Sequence, residues 1–197
     1  MKNNINKLFD IKGKNAIVTG GKKGIGYEIV STLYDAGCSV VIIDILPKGN
    51  VFNGYDKKRI KYLKYDLSKT DNINSSFDEA IQFLGGLDIF INNAGINKRY
   101  YVEEFPMDIW KEVIEINLIT VFHFCKLAGG YMIKQGSGKI INIASMLSFT
   151  GGFTASAYSA SKGGVAQLTK SLANEWANKG INVNALAPGL MLTDLNK

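Results

Sequence analysis

Short runs of β-branched residues alternate along this chain with longer amphipathic stretches. The short runs predict six strands, because each is rich in Val and Ile or bounded by turn residues. In the longer stretches, apolar residues recur at spacings of three and four, which is typical of helices that bury one face. Predicted strands cover Asn15–Thr19, Ser39–Asp44, Ile60–Lys64, Leu87–Ile91, Lys139–Ala144 and Asn182–Ala187. Predicted helices cover Gly24–Ala36, Asp71–Leu84, Met107–Lys134 with an interruption near Asn117, and Ala157–Lys179.

This alternation predicts an α/β fold built from βαβ units. Right-handed crossovers then give a doubly wound, Rossmann-type parallel sheet with the strand order 3-2-1-4-5-6. No repeat, low-complexity tract or Pro/Gly/Ser-rich linker divides the sequence. We therefore expect a single domain over residues 1–197.

Composition narrows the classes of function. The formal net charge is +6, but the 23 Lys and Arg residues are spread along the chain among acidic residues. This favours a solvated lysine-rich surface and no nucleic-acid partner. Cys38 and Cys125 lie in apolar surroundings, and with His123 they form no metal-ligand spacing, so we expect no metal and a reducing compartment. The polar N-terminus and the lack of a long apolar run predict a cytoplasmic protein with no membrane partner.

A glycine-rich turn directly follows the first predicted strand and leads into a helix. Thr19 is followed by glycines at 20, 24 and 26, with Lys23 and Ile25 between them. Gly20, Gly24 and Gly26 would allow a tight turn and a close approach of backbone to a pyrophosphate at the helix N-terminus. The pattern T-G-x-x-x-G-x-G predicts a dinucleotide site, although glycines at such a place can also serve only a turn.

An acidic residue closes the second predicted strand. Asp44 is suited to accept hydrogen bonds from both ribose hydroxyls of adenosine, and its charge would repel a 2′-phosphate. The alternative is that Asp44 merely starts a turn. Lys23 favours NADP instead, because a basic residue just before the second glycine often accompanies NADP binding. We expect NAD rather than NADP, since a dianionic phosphate beside Asp44 costs more than leaving Lys23 in solvent.

A tyrosine and a lysine lie four residues apart near the start of the last predicted helix. Tyr158 and Lys162 therefore share one helical face. A free tyrosine has a pKa of about 10, and a nearby cation favours its phenoxide. Tyr158 would then exchange a proton with an alcohol or a ketone. Ser145, at the end of the fifth predicted strand, would hydrogen-bond the substrate oxygen, with Ser148 as a nearby competitor.

Taken together, these motifs resemble those of the short-chain dehydrogenase/reductase family, and the resemblance extends over nearly the whole chain. It covers the glycine-rich turn, the sequence Asn92-Asn93-Ala94-Gly95, and Tyr158 with Lys162. The resemblance implies an NAD(P)-dependent oxidoreductase acting on CH–OH groups, and it selects Ser145 over Ser148. Its implied catalytic residues are Asn117, Ser145, Tyr158 and Lys162, with Asn117 holding a water that links Lys162 to solvent.

The resemblance also implies further cofactor contacts. Asp66 and Leu67 would hold the adenine ring. Asn92 would steady the sheet, while Ala94 and Gly95 would line the adenosine side. Tyr158 and Lys162 would touch the cofactor as well as the substrate. Pro188, Gly189 and Thr193 would wrap around the nicotinamide carboxamide.

Within the family, the segments 140–149, 174–177 and 182–185 resemble dehydrogenases of sugar acids. The implied substrate is a sugar acid of the 2-dehydro-3-deoxygluconate type, in uronate breakdown, bound by Ser145, Tyr158 and Arg99. Lys98 and Arg99 would meet its carboxylate, although exposed basic residues are often only solvated surface. A 3-oxoacyl carrier-protein reductase using NADPH, or a non-catalytic nucleotide-binding scaffold, are the alternatives.

Members of the family commonly form homotetramers, and we expect the same here if the full-length tail is present. They also continue past the region of Pro188 with a substrate lid and a seventh strand. Because the sequence stops at Lys197, we expect these parts to be missing through truncation or omission. A chain that naturally ended there would be of doubtful activity, since lid closure excludes water from such sites.

Overall fold

The computed structural model describes residues 9–191 as a parallel sheet with helices on both faces. Its six strands are hydrogen-bonded in the order β3-β2-β1-β4-β5-β6, and every pairing is parallel. The predicted strand order and fold class are therefore confirmed. The strands are β1 (Asn15–Thr19), β2 (Ser39–Asp44), β3 (Ile60–Lys64), β4 (Ile89–Asn92), β5 (Gly138–Ile143) and β6 (Ile181–Leu186).

Six α-helices connect and cover the strands of the described chain. They are α1 (Gly24–Asp35), α2 (Thr70–Leu84), α3 (Met107–Ile114), α4 (Thr120–Gln135), α5 (Leu147–Thr150) and α6 (Ser156–Trp176). Short 3₁₀ turns occur at Val102–Glu104 and Ala177–Lys179. The predicted helices match closely. The sequence pattern did not predict the single turn α5, which is too short to show a periodicity.

The interruption predicted near Asn117 is a π-helical segment, Glu115–Ile119, between α3 and α4. At its end, the amide of Thr120 donates to the carbonyl of Glu115, five residues earlier. Such single π-turns are rare and occur frequently at functional sites.

Two apolar layers hold the helices to the sheet, one on each face. Phe90 and Ile140 point to the layer that also contains Phe124 of α4 and Val165 of α6. On the opposite face, Val18 packs in the layer with residues of α1. Burial on both faces explains why the strands are nearly continuous apolar runs.

The helical stretch Met107–Gln135 is, among the described residues, the one helix long and apolar enough to cross a membrane by length and composition alone. Its apolar character has a simpler cause. Val121, Phe124, Ala128 and Met132 are buried on one side of α4 against the sheet. A core helix of this kind passes the same test, so the stretch is weak support for a membrane span.

Because α4 and α6 pack closely, alanine substitutions at two neighbouring glycines of α4 should have opposite effects on the free energy of unfolding. A Cβ on Gly129 would lie 2.6 Å from Cζ3 of the buried Trp176 ring, whereas nothing lies within 4 Å of a Cβ on Gly130. Gly129→Ala should lower the free energy of unfolding by about 1–3 kcal/mol through overpacking. Gly130→Ala should raise it by about 0.5–1 kcal/mol, because alanine costs less backbone entropy in a helix. Urea denaturation of both variants measures these changes. Equal changes in the free energy of unfolding would contradict the close contact between Gly129 and Trp176.

Candidate active site

The loops at the carboxyl ends of the strands enclose one large cleft of about 590 Å³. It lies where the strand order reverses between β1 and β4, which is the usual ligand position in doubly wound sheets. Most residues predicted for the site line this cleft: Gly20, Lys23, Gly24, Ile25, Gly26, Asp44, Asp66, Leu67, Ala94, Gly95, Arg99, Ser145, Tyr158, Lys162, Pro188 and Gly189. Asn92 and Asn117 lie behind the cleft wall, and Thr193 falls outside the described residues.

The glycine-rich turn requires its glycines for two different reasons. Gly20 and Gly24 have φ values of +65° and +56°, a region that favours glycine. A Cβ on Gly26 would collide with the carbonyl oxygen of Gly20. Lys23 occupies the N-cap position of α1 and makes no side-chain cap there. The first-turn N–H groups of α1 therefore suit an anionic group, as the sequence predicts.

Asn93 braces this turn from the loop after β4. Its side-chain amide donates to the carbonyls of Thr19, at 3.0 Å, and Gly20, at 2.8 Å. In return, the hydroxyl of Thr19 accepts hydrogen bonds from the backbone amides of Asn93 and Ala94, both at 3.1 Å. Sequence reasoning did not single out Asn93. Its place in the N-N-A-G motif was the available signal, but its partner lies more than 70 residues away.

Asp44 is buried at the end of β2, where its carboxylate is held by backbone amides. Oδ2 accepts from the amide of Lys22 and Oδ1 from the amide of Leu46, both at 3.0 Å. The carboxylate is thus fixed at the rim of the cleft beside the glycine-rich turn. Each oxygen keeps a further lone pair for a ligand hydroxyl.

The wall after β3 is formed by Asp66, Leu67 and Ser68. Asp66 accepts hydrogen bonds from the hydroxyl and the amide of Ser68, which hold the pKa of this carboxyl below its usual value. The hydroxyl of Thr120 donates to the carbonyl of Leu67 at 2.9 Å. These bonds fix the wall against the start of α4.

Lys162 is fully buried beneath the cleft. Its ammonium donates to the carbonyl of Ile143, at the end of β5, and lies 5.8 Å from the centre of the Tyr158 ring. Burial lowers the pKa of Lys162 to about 8. The lysine is thus poised to gain or lose a proton near neutral pH.

Tyr158 lines the cleft one helical turn before Lys162. Burial raises the pKa of its phenol above the ordinary value, and a hydrogen bond with Ser145 lowers it in part. The sequence had suggested that the lysine cation would favour the phenoxide. In this structure, burial is the largest influence on the phenol, and the bond with Ser145 is what opposes it.

Ser145 and Ser148, the two serines considered for contact with the substrate oxygen, have different surroundings. Ser145 lines the cleft, and its hydroxyl accepts from the amide of Leu147 at 3.2 Å. The hydroxyl of Ser148 donates to the carbonyl of Lys162 at 2.8 Å and accepts from the amide of Ser145. Ser148 is therefore engaged with backbone, while Ser145 is the serine that faces the cleft and Tyr158.

The side chain of Asn117 is completely buried, and both of its polar atoms are hydrogen-bonded. Oδ1 accepts from the amide of Ile96 at 2.8 Å, and Nδ2 donates to the carbonyl of Ile96 at 2.8 Å and to the hydroxyl of Ser161 at 3.1 Å. This clamp ties the π-helical segment to the loop after β4 and to α6. Both polar atoms of the Asn117 side chain thus have protein partners.

Arg99 lines the mouth of the cleft, whereas Lys98 does not. Its guanidinium donates one hydrogen bond, to the carbonyl of Phe153 at 3.2 Å. Tyr100 adds a second link to the same loop, through its amide to the carbonyl of Thr154 at 3.0 Å. Of the two basic residues predicted to meet a carboxylate, only Arg99 lines the cleft.

Residues after β6, including Pro188 and Gly189, form another wall of the cleft. Pro188 accepts a hydrogen bond from the amide of Met146 at 3.0 Å, and Gly189 lines the cleft beside it. Sequence reasoning missed several residues of the described cleft: Ile45, Leu46, Ser68, Asn93, Asn97, Glu112, Ile116 and Met146 are among them. Apart from Asn93, no sequence pattern marks them, since they approach the cleft only through the fold.

The burial of Lys162 predicts a pH-dependent stability difference. With a pKa near 8 in the folded state and 10.5 as its ordinary value, the unfolded chain binds more protons between these pH values. Stability of the wild type relative to Lys162→Met should therefore rise from pH 8 to 10.5, by about 3 kcal/mol in total. Urea denaturation across this range tests the prediction. A difference that does not change with pH would contradict a depressed lysine pKa.

Comparisons with known proteins agree with this geometry. A family model described as short chain dehydrogenase matches residues 14–197. The 2-dehydro-3-deoxy-D-gluconate 5-dehydrogenase of Bacillus subtilis is 42% identical over 200 residues, covering 96% of this chain and 75% of the relative. The 5-keto-D-gluconate 5-reductase of Escherichia coli K12 is 32% identical, covering 98% of this chain and 78% of the relative.

A solved structure gives the same result. It is described as a candidate NAD(P)-dependent gluconate 5-dehydrogenase from Beutenbergia cavernae with NADP bound at low occupancy. It superposes with a TM-score of 0.87 at 35% identity, covering 95% of this chain and 76% of that one. The chain belongs to the short-chain dehydrogenase family and is an NAD(P)-dependent oxidoreductase acting on CH–OH groups.

Proposed function

We propose that the protein transfers a hydride between NAD(H) and the secondary alcohol or ketone of a sugar acid of the 2-dehydro-3-deoxygluconate type. The observation that carries this proposal is the meeting of Ser145 and Tyr158 in one cleft with the glycine-rich turn, above the buried Lys162. The names of the relatives support the substrate class.

The cleft fits a dinucleotide. It offers glycines at which a Cβ would be strained or would collide, uncapped N–H groups at the start of α1, and a buried acid at the rim. The turn of Gly20, Gly24 and Gly26 would hold the pyrophosphate, Asp44 the adenosine ribose, and the wall of Asp66 and Leu67 the adenine. The nicotinamide ring, when bound, supplies or accepts the hydride.

Tyr158 is the proton donor in ketone reduction and the proton acceptor in alcohol oxidation. In reduction, the ketone carbon gains the hydride and its oxygen takes the phenolic proton. In oxidation, the same proton returns to Tyr158. Ser145 donates a hydrogen bond to the reacting oxygen and so stabilises the negative charge that develops there.

Lys162 and Asn117 support proton transfer by Tyr158. The lysine, held by the carbonyl of Ile143, places a positive charge beneath the phenol when protonated, which favours the phenoxide. With a pKa near 8, it can also pass a proton onward. Asn117 fixes Ile96 and Ser161 around this pair, and it is the candidate partner for a relay water.

We propose NAD as the preferred cofactor. Both oxygens of Asp44 are held at the ribose end of the cleft, and a phosphate there would face a buried negative charge. Lys23, which also lines the cleft, and the solved relative with NADP bound argue for the alternative. We favour NAD over NADP because two hydrogen bonds fix the buried carboxylate of Asp44 in position.

Arg99 is the proposed contact for the substrate carboxylate. It engages the protein through a single hydrogen bond to Phe153, so its guanidinium retains donors for a two-pronged interaction with a carboxylate.

Absorbance at 340 nm tests the proposal with two substrate and cofactor pairs. We expect turnover of 2,5-diketo-3-deoxygluconate with NADH. Turnover of an acetoacetyl thioester with NADPH would instead indicate a 3-oxoacyl carrier-protein reductase. Binding of NADH without turnover of either substrate would indicate a non-catalytic scaffold.

We also propose a cytoplasmic homotetramer. Both cysteines in the sequence, Cys38 and Cys125, are buried and unpaired, which suits a reducing compartment. Ile119 and Phe122 are about half exposed on the long helical stretch, and apolar side chains there suit an interface between subunits. Light scattering coupled to size exclusion measures the assembly directly.

A further inference from the structure

A chain of polar side chains crosses the apolar layer between the sheet and helices α4 and α6. Asn92 on β4, Asn142 on β5 and Thr169 on α6 are all at least nine-tenths buried. Polar groups in such a layer cost free energy unless they are hydrogen-bonded. Here they bond to one another, together with the thiol of Cys125 from α4.

Asn142 is the centre of this chain. Its Oδ1 accepts from Nδ2 of Asn92 at 2.8 Å, and its Nδ2 donates to the hydroxyl of Thr169 at 3.0 Å. Thr169 in turn donates to the carbonyl of Val165 at 2.8 Å. Asn142 therefore joins two neighbouring strands to the helix that carries Tyr158 and Lys162.

The position of the contact along α6 is informative. Thr169 follows Lys162 by seven residues, which is close to two helical turns, so both side chains face the sheet. Lys162 bonds to the carbonyl of Ile143, and Thr169 bonds to the side chain of the preceding strand residue, Asn142. Helix α6 is thus attached to β5 at two points, and Ser145 lies two residues after the end of β5.

We propose that the hydrogen bond between Asn142 and Thr169 sets the rotation and axial position of α6 on β5, and thereby the approach of Tyr158 to Ser145. Asn142 and Thr169 are positioning residues, since neither lines the cleft among the described residues. The inference rests on the proposed roles of Tyr158 and Ser145. Without this anchor, the helix would keep the polar contacts near its start, to Ile143, Ser148 and Asn117, but would lose the polar contact with β5 two turns further on.

Thr169→Val is the direct test, because it keeps the shape of the side chain and removes the hydroxyl. Thr169→Ser restores the hydroxyl and serves as the rescue. Leu172→Ala is the matched control, since it removes packing from the same helix one turn further on and leaves the bond intact. Thr169→Ala, which leaves space for a water, replaces the valine variant if that variant does not fold.

We expect Thr169→Val to lower kcat about 10-fold or more, because small misplacements of reacting groups are costly. The KM for the ketone should change far less. NMR titration of Tyr158, labelled at Cζ and assigned with Tyr158→Phe, should show a higher phenol pKa, since the bond with Ser145 lowers it in the wild type. Thr169→Ser should restore both values, and Leu172→Ala should change only the melting temperature.

The inference is overturned if Thr169→Val leaves kcat and the titration of Tyr158 unchanged, or if Leu172→Ala shifts them equally. Absence of turnover in the wild type would count against the proposed function instead. The titration still decides the positioning role in that case, because it needs no substrate.

Discussion

Replacing Tyr158 by Phe is expected to lower kcat about 10²- to 10⁴-fold, the usual contribution of a positioned general acid or base. Phenylalanine keeps the ring in the cleft and removes the one proton that the reacting oxygen needs. Affinity for NADH should change far less than kcat, because the glycine-rich turn and Asp44 lie elsewhere in the cleft. Absorbance at 340 nm gives kcat, and quenching of protein fluorescence gives the affinity.

Tyr131→Phe is the matched control for this experiment. Tyr131 lies on α4, half-buried against the apolar layer and outside the cleft. The same chemical change there should leave kcat nearly unaltered. If Tyr158→Phe retained a large part of the wild-type kcat, proton transfer would have to come from another group.

Removing the charge of Asp44 is expected to have the second largest effect. Asp44→Asn should lower the ratio of kcat/KM with NADH to that with NADPH by about 10- to 100-fold, since one unit of charge near a phosphate is worth a few kcal/mol at intermediate dielectric. Asparagine keeps the size of the side chain but loses one acceptor. Part of the change will therefore be weaker NADH binding as well as better NADPH binding.

Glu112→Gln controls for a general effect of negative charge. Glu112 also lines the cleft but is exposed, so solvent screens its charge. We expect the cofactor ratio of this variant to stay close to that of the wild type. Equal shifts in both variants would indicate that the overall charge of the cleft, rather than the fixed carboxylate of Asp44, sets the preference.

The sheet was accessible to sequence reasoning because its strands are buried on both faces. Strands β1, β2 and β3 begin and end where the sequence pattern predicts. Strand β4 begins two residues later than the pattern suggests, at Ile89. Asp88 directly precedes β4. Its carboxylate accepts hydrogen bonds from the ammonium of Lys14 and from the backbone amide of Asn15.

The parts of the site that escaped prediction depend on contacts between distant segments. Asn93 supports a turn that lies 73 residues earlier in the chain, and no local pattern marks that contact. The anchor of Lys162 is a backbone carbonyl, which every residue possesses. The raised pKa of Tyr158 likewise arises from burial, which a sequence motif does not encode.

Transfer of deuterium tests the central claim most directly. The enzyme would reduce the keto sugar acid with NADH that carries deuterium at both hydrogen positions of nicotinamide C4, and NMR would locate the label in the product. We predict one deuterium on the carbon of the ketone that is reduced, with the hydroxyl proton exchanging with solvent, and at most about a hundredth as much labelled product from Tyr158→Phe over the same period. Product that forms without deuterium at that carbon would contradict direct hydride transfer in this cleft.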